Sequence, residues 1–123
     1  MIPKLIKSFG AGGALGAYRI VKNGAADGTV LIAAAATDKL LGVTDRIATA
    51  SGDVADIVLS GSGELVAGGN VAFGDPITSD AAGAGVVAAP AGGANVRIIG
   101  FALSSAVAND IFPIRVAPGF MQG

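Results

Sequence analysis

The chain contains no histidine and no cysteine, so the commonest general base, the commonest metal ligand and the thiolate nucleophile are all missing. Its acids are mostly aspartates: Asp27, Asp38, Asp45, Asp53, Asp56, Asp75, Asp80 and Asp110 lie scattered beside Gly, Ala, Thr or Pro. An Asp beside such residues in a turn hydrogen-bonds its own backbone, and that reading outweighs paired-carboxylate catalysis. No Asp-x-Asp-x-Asp-Gly loop for Ca²⁺ occurs. Ser60-Gly-Ser-Gly63 is a turn composition, not a Gly-x-Ser-x-Gly nucleophile elbow. Gly10-Ala-Gly-Gly-Ala-Leu-Gly16 lacks the Gly-Lys-Ser/Thr ending and the preceding strand of a phosphate loop. These residues predict no enzyme, no metal and no cofactor.

What remains is binding. The net charge is −1, with no basic stripe to neutralise a phosphate backbone, which predicts no direct nucleic-acid partner. Charged residues make up 14% of the chain, against about 25% in an ordinary soluble domain; a surface so poor in charge is weakly protected against association. No apolar run reaches the roughly 18 residues of a membrane span, and the basic start leads into Gly rather than an apolar core, so neither a membrane partner nor a signal peptide is expected.

Residues 1–16 read as an N-terminal arm ahead of a single β domain over 17–123. Ile2, Leu5, Ile6 and Phe9 would be apolar anchors, Lys4 and Lys7 would steer, and Gly10–Gly16 would be a flexible leader. Such a segment either orders on contact with a partner or packs on its own domain as a first strand. Phe120 and Met121, beyond Pro118-Gly119, are candidates for a second contact.

The elements that must position these residues repeat. Ala11-Gly-Gly13 recurs as Ala67-Gly-Gly69, 56 residues on, and Val30 maps onto Val86. Lys39-Leu-Leu-Gly42 maps onto Arg97-Ile-Ile-Gly100 at 58, and Asp53 onto Asp110 at 57. The pseudo-repeats run over about 11–66 and 67–119. A unit of this length holds about four strands and cannot bury a face alone, so two would close into one small β barrel or sandwich. Period-2 alternation places Ala55, Ile57 and Leu59 on one inward face and Phe112, Ile114 and Val116 on its counterpart. Pro113 predicts an edge or a bulge. Asn23-Gly24 and Asp27-Gly28 read as turns, Ala33–Ala36 as strand end plus loop, and Ser104–Ala108 allows a short helical turn.

In the second half, Ala67-Gly-Gly-Asn-Val-Ala-Phe-Gly-Asp-Pro-Ile-Thr-Ser-Asp80 leads through Ile99-Gly-Phe-Ala-Leu103 to Asn109-Asp-Ile-Phe-Pro-Ile-Arg-Val-Ala-Pro-Gly119. With Tyr18–Lys22 and Ala-Thr-Asp-Lys-Leu-Leu-Gly42 in the first half, this succession resembles the capsid decoration (cement) proteins of tailed bacteriophages. The likeness spans roughly 11–119 and rests on the order of many weak elements. It implies an all-β fold, a small barrel related to the β-clip or β-tulip folds. It also implies a homo-oligomer, commonly a trimer, on the outer surface of the expanded virion head. The partner would be the major capsid protein, which the N-terminal segment often reaches, and the role would be bracing the capsid against packaged DNA. The other readings open from sequence are a head-fibre base, a tail tube or spike protein, and a small ligand-binding β module, the last disfavoured by one Tyr, five Phe and no Trp.

Overall fold

The computed structural model describes residues 4–123. It is all-β: β1 (Lys4–Ala11), β2 (Ile20–Asn23), β3 (Thr29–Ile32), β4 (Leu40–Thr44), β5 (Val54–Val66), β6 (Pro76–Ser79), β7 (Gly85–Val87), β8 (Asn95–Ala102) and β9 (Ile111–Gln122). One sheet runs β1-β3-β2-β4-β5-β9-β8-β6-β7, and β1 pairs again with β5, closing the first five strands into a barrel. In the second half, β7 returns toward the end of β5 through the parallel bridge Ala67↔Gly85.

The two halves have one topology. The first part of β5 corresponds to β9, and its second part to β1; β2, β3 and β4 correspond to β6, β7 and β8. Hydrogen bonds repeat pair by pair. Ala11 N–H donates to Asp53 O at 2.8 Å and Ala67 N–H to Asp110 O at 2.7 Å. The bridge Leu15↔Thr49 has its counterpart in Val71↔Ala106. A left-handed residue recurs at matching places, Tyr18 (φ 56) with Gly74 (φ 89) and Gly52 (φ 88) with Asn109 (φ 74). The halves share β5 without a linker: Gly61 pairs with Lys4 of β1 and with Val116 of β9.

The basic-ΦΦ-Gly signature has a steric cause. A Cβ on Gly42 would collide with the carbonyl oxygen of Val58, and one on Gly100 with that of Arg115. These contacts are equivalent in the repeat, and only glycine lets the crossing strands approach that closely.

The inward faces are placed as the alternation predicts: Ala55, Ile57, Phe112, Ile114 and Val116 are buried, and Leu59 is half-buried against the first-half core. One cluster, around Val21, Val30, Ala55 and Ile57, fills the first half. A larger one joins Ile20, Val43 and Val58 to Leu65, Ile77, Ile99, Phe112 and Ile114 across both halves.

Three expectations are corrected. Lys4–Ala11 is not a free arm: it pairs antiparallel with β5 and, at Gly10 and Ala11, parallel with β3. Its backbone pairing closes the barrel, while the side chains of Leu5 and Ile6 stay exposed. Pro113 lies on an inner strand between β5 and β8, with no register shift in its β5 ladder. It is accommodated because its carbonyl accepts from Leu103 N–H at 2.9 Å just past the end of β8, so its missing N–H forfeits nothing within that ladder. Ser104–Ala108 holds no helical turn but a bridge and a turn zipped to the β5–β6 loop.

Candidate functional site

The terminal candidates are presented on ordered ribbons. Lys4, Leu5, Ile6 and Lys7 of β1 lie opposite Gly61, Ser60, Val58 and Ile57 of β5, with a register shift between Leu5 and Ile6. All four are exposed. Lys7 Nζ stands 5.9 Å from the Phe9 ring centre, and Phe9 itself is half-buried against the first-half core. Phe9 is therefore a packing residue, and Leu5 and Ile6 are the apolar side chains left open. Ile2 lies outside the described residues.

At the other terminus, β9 pairs with the start of β8, Phe120 opposite Arg97 and Met121 opposite Val96. Phe120 is exposed, and the Arg97 guanidinium lies 4.5 Å from its ring centre, a cation–π pair that fixes the ring at the surface. Met121 is half-buried. The two terminal groups are held on different strand pairs and do not form one site.

The aspartates fasten loops. Asp38 accepts from Ala34 N–H at 2.8 Å and Ala35 N–H at 3.1 Å, and pairs with Lys22 at 3.3 Å. The Ala34 amide, with Lys22, holds the Asp38 carboxyl below the usual carboxylate range against the opposing effect of its burial. Asp80 accepts from Ala82 and Ala84 N–H, Asp75 from Ala72 N–H and Asp110 from Val107 N–H. Among the described residues no group of acids is arranged to hold a metal, and no buried side-chain polar atom lacks a partner. A depression of ≈ 320 Å³ lined by Thr44–Ile47, Thr49 and Val54–Asp56 contains acids already engaged: Asp45 accepts from Arg46 N–H, and Asp56 from the Ser8 hydroxyl.

The sequence reading missed the loop end of the second half. There the β5–β6 and β8–β9 loops are zipped by the Val71↔Ala106 bridge, by Phe73 N–H donating to Ser105 Oγ at 3.3 Å and by Gly74 N–H donating to Ala102 O at 2.8 Å. Phe73 (72% exposed), Val107 (57%), Ile111 (45%) and Leu103 (43%) are large apolar side chains open to solvent on these loops and their flanks. The signal was available in the aligned repeat, which sets Phe73, Leu103 and Val107 against Ala17, Asp45 and Ala50.

No protein-family model matches the sequence, and no curated protein does. Among solved structures the chain is similar to the N base of the head fiber protein gp8.5 of bacteriophage phi29. The TM-score is 0.68 and the identity 17%, and the match covers 94% of this chain and 95% of that one. At that identity the two share a fold, and the shared fold runs the length of both.

Proposed function

We propose that this protein is a structural component of a tailed-phage virion, seated on the outer surface of the head and acting by binding rather than by catalysis. The observation that carries the reading is the near-complete fold match to a head-fibre base. Its support from sequence is independent: the succession of weak elements over 11–119 that resembles decoration proteins.

As a decoration protein the chain would bind the expanded shell in many copies. Binding only that state stabilises it by mass action, and many copies on one lattice let each contact be weak. A surface with 14% charged residues and exposed apolar side chains suits such a partner. The neighbouring structure favours a second reading, the base of a head fibre. Both place the chain on the head facets.

The test is co-sedimentation of purified protein with expanded, undecorated heads of the phage that encodes it, followed by electron microscopy. Saturable binding with regular density on the facets is the expected result. A rise in the temperature at which bound heads break supports the decoration role; regular density with unchanged head stability supports a fibre base. Labelling confined to the tail, or no binding to heads, overturns the proposal.

A further inference from the structure

We propose that the loop end of the second half, carrying Phe73, Leu103, Val107 and Ile111, is the face that docks on the protein shell of the head. This rests on the head-surface reading above and adds the surface that makes the contact.

The molecule supplies its own control. The equivalent loops of the first half close with the same bridge, Leu15↔Thr49 in place of Val71↔Ala106, and with matching bonds beside it, Gly52 N–H to Ala11 O and Asp53 N–H to Ala50 O in place of Asn109 N–H to Ala67 O and Asp110 N–H to Val107 O. They do so with Ala17, Asp45 and Ala50 where the second half has Phe73, Leu103 and Val107, and their one large exposed apolar side chain is Ile47. The large apolar residues are therefore not needed to build the loops, and their exposure shows that they do not fill the core. Ile111 is matched by the exposed Val54, so it adds area without distinguishing the halves.

Charge separates the ends as well. The first-half β4–β5 loop carries Asp45 and Arg46 where residues 103–109 carry no charge; Asp53 is matched by Asp110 and does not distinguish the ends. The flanking Asp75 and Asp110 each accept from a loop amide, Ala72 and Val107. Interface cores are depleted of charge and enriched in aromatic side chains, and here Phe73 supplies the aromatic side chain.

Size selects the occupant. At roughly 150–200 Å² per side chain, these exposures leave on the order of 400 Å² of apolar surface. That is the scale of a functional patch on a monomer and about half of the 800 Å² per partner of a self-sufficient interface. A second copy held by this face alone would be under-anchored. A lattice that engages many copies compensates by multivalency, which favours the shell.

The experiment gives the second-half loops their first-half residues, as F73A/V107A, with L103D as a separate variant in case the pair disturbs folding. Thermal melts and analytical ultracentrifugation accompany binding to expanded heads. The expected result is an unchanged melt and oligomeric state with head affinity at least tenfold weaker in either folded variant. If wild-type protein binds heads and the folded variants bind equally well, the docking face lies elsewhere and the head-surface reading stands. If wild-type protein does not bind heads, both fall. If the substitutions instead dissociate an oligomer, the patch joins copies of this chain and the inference is overturned.

Discussion

The two halves use nearly the same backbone to cover different faces of their strands. In the first half, β2, β4 and β5 are buried on both faces: Val21 and Ile57 fill the barrel, while Ile20, Val43 and Val58 meet the second half. In the second half, the counterparts of those outward residues are Pro76, Phe101 and Arg115, none of them buried. Inside its barrel large and small groups are redistributed, Phe112 standing where the first half has Ala55 and Val116 where it has Leu59. A duplicated fold thus fixes hydrogen bonding and close approaches in both copies and leaves the outer faces free to diverge, one toward its sister and the other toward solvent.

The largest test of this comparison concerns the ends of the chain. Deleting residues 2–9 removes most of β1 and opens the first barrel along β5. The loss should exceed about 5 kcal/mol, within reach of the whole stability of a domain, and circular dichroism should show no cooperative melt. Deleting 120–123 shortens only the β8–β9 ribbon and should leave the melt cooperative. Equal effects would break the distinction between the termini.

Next is Phe112, which spans the larger cluster. Phe112→Ala, giving it the residue of its first-half counterpart, should destabilise by about 3–5 kcal/mol in denaturant melts. A loss under about 1 kcal/mol would mean that the second-half core does not depend on its larger side chain.

The glycine pair sharpens the equivalence. Gly42→Ala and Gly100→Ala each drive a Cβ into a facing carbonyl, and each should lose about 1–3 kcal/mol by overpacking. One tolerated substitution would show that the halves cross their strands differently.

The smallest effect is local to the first half. Asp38 has its carboxyl pKa lowered by the Ala34 amide, with help from Lys22. Its stabilisation is therefore present above the ordinary carboxylate pKa and is lost as pH falls through the lowered value. Asp38→Asn should lose about 1 kcal/mol at neutral pH, with the difference from wild type disappearing in acid. A difference independent of pH would remove the charge from the explanation.

The repeat was legible because its signals are steric. Gly42 and Gly100 cannot carry a Cβ, and alternation along Asp53–Leu59 and Asp110–Val116 reports burial directly. Two things were not legible. Alternation identifies the buried face of a strand but not that both faces of Val21, Val43 and Val58's strands are covered, since that depends on how the halves sit together. The role of Lys4–Ala11 turned on a partner strand about fifty residues away, which local composition does not specify. The exposed loop residues were hidden differently: Phe73 and Val107 look like core residues by type, and only their aligned counterparts Ala17 and Ala50 show that the position does not demand bulk.

The sharing of β5 also sets the order of events in time. Lys4 waits for Gly61 and Gly61 waits for Val116, so each closure spans more than fifty residues and must overcome the loop entropy of bringing distant segments together. A domain whose pairings are this remote in sequence folds on the slow side, in milliseconds to seconds. During synthesis the first barrel has all its strands once the first part of β5 has emerged. The second part of that same strand then stands as an unpaired edge until β9 arrives. The chain is therefore most exposed to mispairing between the completion of β5 and the emergence of residue 116.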